Sequence, residues 1–337
     1  MKKRLNIYVS GYYGKGNFGD ELFLMTFKQL FTEHHLFGLA KYIDFKQVDA
    51  IIIGGGDIIA PYRFNNNYFQ PDFLTKPRWI YGVGVVSAYQ AVKGEVMLYQ
   101  QYTQGAQGFV VRDIYSHKLA QQLQLHPRVE LAPDIVFSYQ EPNYPIKFVT
   151  NKKTIGVVLH AYDQSPVEII INLATLIDPK NYELVLLPVV NQAGHPFADF
   201  KQVTYLKEKL SAYFPKLEVT IFKEYNMDQL YAVLQALSLL ISFKLHPTLA
   251  AIRGNVPVFC FSEQKKVAAL LESFGLAEYL LPTTVDYTLM QDKFSCFLQE
   301  THKTLNFNRE KLTETITASN QALLNLKKAI ESYAYET

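Results

Sequence analysis

Leu5-Asn6-Ile7-Tyr8-Val9-Ser10-Gly11-Tyr12-Tyr13-Gly14-Lys15-Gly16-Asn17-Phe18-Gly19-Asp20-Glu21 is the stretch from which the fold is read. A short apolar run stops at Gly11, a glycine-rich loop follows, and an amphipathic segment of helical length begins near residue 19. Apolar run, glycine or charged turn, then amphipathic segment is the repeat of βαβ units around a parallel sheet. The repeat predicts strands near 5–10, 48–53, 78–84 and 107–111, with helices near 19–31, 88–103 and 114–124. Gln140-Glu141-Pro142-Asn143-Tyr144-Pro145 is polar, holds two prolines and reads as a linker. The alternation then restarts with strands at 154–159, 183–188 and 217–221 and helices near 166–177 and 199–213. From Met227 to Phe261 the order is helix, strand, loop, helix, strand, and Pro247 suits the first turn of the second of these helices. Residues 307–333 predict a last helix with an apolar stripe of Leu312, Ile316, Leu323, Leu324, Leu326 and Ile330.

Composition sets the bounds. A chain of 337 residues exceeds the size at which one core stops growing, so two domains are expected. The 49% hydrophobic and 19% charged shares are those of a globular protein and exclude a disordered one. Lys and Arg number 33 against 31 Asp and Glu; a net charge of +2 creates no field that would draw nucleic acid. The two cysteines, Cys260 and Cys296, build neither a disulfide framework nor a zinc cluster, and Cys260 sits in the apolar run from Val256 to Phe261. Met1-Lys2-Lys3-Arg4 is basic, but the apolar run behind it is too short for a signal peptide, so a cytoplasmic location is expected. No run of about 18 apolar residues predicts a transmembrane helix. Tyr and Phe, at 23 each, suit sugar stacking or a lipid-facing surface, although cores are their commonest use.

Ligands of open parallel sheets bind beyond the carboxyl ends of strands, so the loops following strands carry the chemistry. In the first, Gly11 to Glu21, glycines let a ligand approach backbone, and the helix start offers N–H groups to an anion; the plain alternative is a turn with Asp20 as helix cap. Its spacing matches neither a P-loop nor G-x-G-x-x-G. In the second, Gly54-Gly55-Gly56-Asp57, three glycines bare a strand end; the alternative is close packing against a helix. In the third, Ser242-Phe243-Lys244-Leu245-His246, hydroxyl, ammonium and imidazole suit a phosphate or carboxylate. Arg112-Asp113 follows a strand too, where arginine can grip an anion at two points or form an internal ion pair.

Taken in order, Gly11-Tyr12-Tyr13-Gly14 with Asn17-Phe18-Gly19-Asp20-Glu21, then Gly54-Gly55-Gly56-Asp57, Val111-Arg112-Asp113-Ile114-Tyr115-Ser116, Ala132-Pro133-Asp134 and Lys244-Leu245-His246 resemble the polysaccharide pyruvyltransferase family over residues 5 to about 260. The resemblance implies an α/β fold of two Rossmann-like domains facing across a cleft, as in B-type glycosyltransferases. Their bounds would be 1–141 on the acceptor side and 152–305 on the donor side, with a C-terminal helix, 306–337, returning to the first domain. It implies phosphoenolpyruvate as co-substrate with no other cofactor, a sugar hydroxyl pair as acceptor, often on a lipid-linked precursor, and a pyruvate ketal as product. A lipid-linked acceptor and the basic start together predict peripheral contact with the inner face of the membrane. The oligomeric state stays open. Two positions depart from the family pattern: Lys244 stands where arginine is usual, keeping charge without the planar grip, and His160 in Leu159-His160-Ala161-Tyr162 stands where many members have arginine. His195 and Asp199 sit where relatives often place a histidine and an aspartate.

Ketal formation needs an acid for the methylene carbon, a base for the hydroxyl proton and cations for the departing phosphate. Lys244 and Arg112 fit the cations; His246 suits phosphate or proton delivery; Asp20, Glu21 and Asp57 are the candidate bases. Ser242, Leu245, Gly14, Asn17, Gly54, Gly55 and His160 complete the expected substrate contacts, and no residues have metal-ligand spacing. A nucleotide-sugar glycosyltransferase and a non-catalytic saccharide-binding protein are the competing readings.

Overall fold

The computed structural model describes residues 3–38, 43–86, 89–141, 144–146, 148, 150–160, 165–191, 199–223, 226–300 and 309–336. Two compact units divide them: Met1–Gly14, Gly19–Gln140 and Glu314–Thr337 form one, and Lys15–Phe18 with Glu141–Thr313 the other.

The first unit runs β1 (Asn6–Ser10), α1 (Phe18–Leu30), β2 (His35–Phe37), β3 (Ala50–Gly54), β4 (Arg78–Val83), α2 (Lys93–Thr103), β5 (Gly108–Val111), α3 (Ile114–Gln122) and β6 (Glu130–Leu131). Every residue of β3 and β4 is buried, as a parallel strand covered on both faces requires. The strands pair in parallel in the order β2-β1-β3-β4-β5-β6. The chain steps from β1 to β2 on one side and then crosses to β3 on the other, so the carboxyl ends of β1 and β3 flank the switch point where such sheets bind ligands.

The second unit runs β7 (Lys153–Val158), α4 (Ser165–Ala174), β8 (Tyr182–Leu186), α5 (Phe200–Tyr213), β9 (Val219–Ile221), α6 (Met227–Ala236), β10 (Leu239–Ser242), α7 (Leu245–Arg253), β11 (Val258–Phe261), α8 (Lys265–Ser273), β12 (Leu280–Leu281) and α9 (Tyr287–Glu300). Its parallel order, β12-β11-β10-β7-β8-β9, differs in that two strands, β8 and β9, are laid down on one side of β7 before the chain crosses over, and the switch point lies between β7 and β10. His160 follows the first of these strands and Lys244 the second.

The last helix, α10 (Arg309–Glu336), belongs from Glu314 onward to the first unit. Ser319 Oγ meets Ser138 Oγ at 2.7 Å, His34 Nε2 meets Glu331 Oε1 at 3.0 Å, and the Tyr335 hydroxyl donates to the Lys3 carbonyl at 2.9 Å. Leu312, Leu323, Leu326 and Ile330 are buried, but Leu324 is 47% exposed and leaves the predicted stripe. Adjacent helix positions diverge by about 100°, and Leu323 takes the inward one. Among the described residues no helix is long and apolar enough to cross a membrane. Cys260 is buried beside Thr248, and burial pushes its thiol up to about 12 against the Thr248 hydrogen bond.

Candidate functional site

In the first unit the glycine loops fold onto each other. The Tyr13 hydroxyl donates to the Gly54 carbonyl at 2.6 Å, and burial, then Asp20 and Glu21, hold its pKa well above the ordinary value. Gly55 and Gly56 have φ of 77° and 68°, in the left-handed region where a Cβ is penalised. A Cβ on Gly54 would lie 2.7 Å from the Tyr81 carbonyl, and one on Gly55 3.0 Å from the Tyr13 hydroxyl. Close packing therefore accounts for Gly54 and Gly55, both predicted to face substrate. Gly56 differs, since its Cβ would lie 2.7 Å from Asp20 Oδ1. Asp20 is not a helix cap: α1 starts at Phe18, and Asp20 and Glu21 occupy its first turn, Asp20 buried and Glu21 half-buried. Gly14 is exposed, with φ of 70°.

Arg112 adopts the internal alternative. Its Nη2 donates to Asp57 Oδ1 at 2.6 Å, Nη1 lies 3.6 Å from Asp134 Oδ2, and its side chain is 3% exposed. Burial opposes its charge, but Asp57, Asp134, Asp113 and Asp20 together raise its pKa above the ordinary value. Asp57 retains 35% side-chain exposure beside it. Gly84 makes the pair possible, because a Cβ there would collide with Asp57 Oδ1 and sit 3.2 Å from Arg112 Nη2. Asp113 caps α3, accepting from Ser116 N and Ser116 Oγ at 2.8 Å each, and Ser116 Oγ in turn accepts from Val85 N at 3.0 Å.

In the second unit Lys244 is the N-cap of α7, and its Nζ lies 2.8 Å from both oxygens of Asp199. Asp199 is fully buried and also accepts from Val189 N at 2.9 Å and Val190 N at 3.0 Å. Residues 15–18 join the same strand end: Phe18 N donates to the Val189 carbonyl, Asn191 N to the Gly16 carbonyl, both at 2.9 Å, and Asn17 bridges Val190. Burial pulls the Lys244 pKa below its ordinary value, with Asp199 pulling the other way. Ser242 Oγ, buried, accepts from Lys244 N at 3.2 Å and fixes the turn. Leu245 is buried, a packing residue of α7, whereas His246 and His160 are half-buried. His195 lies outside the described residues.

The two switch points differ in charge. The first turn of α1 holds Asp20 and Glu21, which already complement the helix dipole and repel an anion. That of α7 holds no acid and follows the Lys244 ammonium. By charge the start of α7 is the less repulsive of the two to an anion, although Lys244 is already paired with Asp199, and the start of α1 offers carboxylates instead. Sequence reasoning missed the partnership of Lys244 with Asp199 and of Arg112 with Asp134, and the space at Gly84. Among the described residues no three His, Cys, Asp or Glu side chains gather as a metal requires.

Two Rossmann-like parallel sheets, each with charged residues in the loops beyond its switch point, place the chain among α/β proteins of the B-type glycosyltransferase architecture. The chain belongs to the polysaccharide pyruvyl transferase family, whose model matches residues 17–265. It is a pyruvyltransferase that moves the enolpyruvyl-derived group of phosphoenolpyruvate to a hydroxyl pair of a polysaccharide. No individual curated protein matches it in sequence. Among solved structures, a Listeria monocytogenes protein described as a UDP-N-acetylglucosamine 2-epimerase is similar in fold, at 13% identity over 100% of this chain and 98% of that one, TM-score 0.61. TarM is similar at 13% identity and TM-score 0.50; the match covers 84% of this chain and 54% of the length of TarM.

Proposed function

We propose that the second unit holds phosphoenolpyruvate at the Lys244 turn and that the first presents the sugar hydroxyls to Asp20. The observation that carries this reading is the charge contrast between the two helix starts. Lys244 and the N–H groups of α7 would neutralise the phosphate as it leaves, with His246 in the same first turn delivering the proton to the methylene carbon. Protonation of that carbon leaves a cation at the neighbouring carbon, which one sugar oxygen attacks. The phosphate departs with the electron pair of its C–O bond, and the second sugar oxygen closes the ketal. Of the two hydroxyl protons released, one balances the proton placed on the methyl group and the other leaves with phosphate. Asp20 takes the first hydroxyl proton; Asp57, held by Arg112, orients the acceptor. Gly14 and Asn17 shape the first loop, Glu21 stands in the first turn of α1, Ser242 ends β10, and His160, after the neighbouring strand β7, would meet the donor carboxylate.

Phosphoenolpyruvate at about 100 times its Kd is expected to raise the melting temperature by about 5 °C, and Lys244→Ala to remove that rise. A larger rise with uridine diphosphate than with phosphoenolpyruvate would count against the donor assignment. The acceptor is taken to be lipid-linked and met at the inner face of the membrane, a reading supported by the basic residues at the start of the sequence. Fractionation of the source cells at low salt tests it, and recovery wholly in the soluble fraction would end it.

A further inference from the structure

The loop between Asp57 and β4 is held by hydrogen bonds from several other segments. Its backbone winds round one buried hydroxyl: Tyr99 Oη accepts from Ala60 N and Asn65 N, both at 3.2 Å, and lies 3.0 Å from the Arg63 carbonyl. Glu95 Oε2 accepts from Phe64 N at 2.5 Å, Val92 N donates to the Pro61 carbonyl at 3.0 Å, and Ser10 Oγ ties down the Tyr68 carbonyl at 3.1 Å. Phe64 anchors the loop below, its ring 4.9 Å from that of Tyr99.

The loop and the segments after β1 and β4 that it meets carry aromatic and amide side chains. Tyr62 and Tyr89 pair edge to face at 4.8 Å, with Tyr89 70% exposed, and Tyr12 and Tyr68 pair at 6.5 Å and 80°. Asn66 and Asn67 are exposed between the two tyrosines of the loop. The inner pair feels the charge of the candidate base: burial, then Asp20, raises the pKa of Tyr12, while burial, then Tyr12 and Asp20, pushes that of Tyr68 up to about 12. A single exposed aromatic needs no explanation; two tyrosine pairs, each with one member on this hydrogen-bonded loop after β3 and one on a neighbouring segment, with Tyr89 exposed and the other three half-buried, do.

We propose that Tyr12, Tyr68, Tyr62 and Tyr89, with Asn66 and Asn67, form a platform that binds the acceptor as an extended glycan, the reacting sugar on the inner pair and the next sugars on the outer one. A pyranose has an apolar C–H face and a hydroxyl rim. The face stacks on the electron-rich surface of a tyrosine ring, and the rim bonds to phenols and carboxamides. Tyrosine freezes only two torsions in doing so, which keeps the ordering cost low. The platform makes the enzyme act on polymer or oligomer rather than on a monosaccharide. It rests on the assignment of the first unit to the acceptor.

The test uses oligosaccharides of different length released by mild acid from the source organism's cell-surface polysaccharide, a treatment that also removes ketals. In the intact protein, KM is expected to fall with acceptor length. Tyr89→Ala, and separately Tyr62→Ala, should raise KM for the longest acceptor roughly three- to tenfold more than for the shortest, with kcat moving less. An equal change at every length, or none in either variant, overturns the platform. Calorimetric binding of the same oligosaccharides without phosphoenolpyruvate keeps the two readings apart. Length-dependent binding that Tyr89→Ala abolishes upholds the platform even if no phosphate is released, and length-independent binding overturns it even if turnover is normal.

Discussion

Asp199→Ala is expected to destabilise the protein by about 3–5 kcal/mol, the cost of leaving a buried charge without its partner. The residue is fully buried and does two jobs, holding the Lys244 ammonium at 2.8 Å and accepting from Val189 N and Val190 N. Urea denaturation across a pH series separates them. Lys244 has its pKa lowered by burial from the ordinary 10.5, so between the folded value and 10.5 the unfolded chain binds more protons. Through this group stability rises with pH across that window. Removing Asp199 takes away the opposing pull, moves the folded value lower and widens the window. The deficit of the variant relative to wild type should therefore shrink as pH rises towards 10.5, leaving the part due to the two orphaned N–H groups. The double variant Asp199→Asn/Lys244→Met, which removes both charges and keeps an acceptor, should recover most of the stability and none of the phosphoenolpyruvate binding. An Asp199→Ala protein as stable as wild type would show that the pair is incidental.

That pair also marks where sequence reading stops. The strands around Ile7, Ile52, Ile80 and Phe109 announce themselves as continuous apolar runs, because both faces of a parallel sheet are covered. The edge strands His35–Phe37, Glu130–Leu131 and Leu280–Leu281 are two or three residues long, too short for any periodicity, and are made strands by the neighbours they pair with. Helices 265–273 and 287–300 lay outside the predicted alternation, as did residues 15–18 grouping with the second unit.

Site residues divide on the same principle. Glycine runs and a Lys-Leu-His turn after strands are local patterns with local causes, so their positions at two switch points follow from strand order. Charge partners are not local. Asp199 is 45 positions from Lys244 and Asp57 is 55 from Arg112, and nothing within either segment specifies the pairing. Gly84 had no signal of its own either, since its role is to leave room for an ion pair built from two other loops. The Tyr99 hydroxyl, 39 positions from Ala60, organises the aromatic loop in the same long-range way.

Among the three candidate bases, Asp20→Asn is expected to lower kcat roughly 10²- to 10⁴-fold, the range for removing a general base, while leaving the stabilisation by phosphoenolpyruvate intact. Asparagine keeps the size and one acceptor oxygen of the side chain, so the packing of Asp20 against Gly56 survives and the loss is chemical. Asp57→Asn should act differently. Its partner Arg112 is 3% exposed and retains Asp134 at 3.6 Å, so the first effect is on acceptor KM and on stability rather than on kcat. Glu21, half-buried one residue along α1, gives the comparison for charge alone: Glu21→Gln removes one negative charge from the same helix turn, and its effect on kcat should be small. The acidic limb of the kcat profile reports the base in the enzyme–substrate complex and should vanish in Asp20→Asn while persisting in the other two. If Asp20→Asn turned over at the wild-type rate and Asp57→Asn did not, the ion pair with Arg112 would be the catalytic element. The buried aspartate would then be a structural residue placed to complement the start of α1.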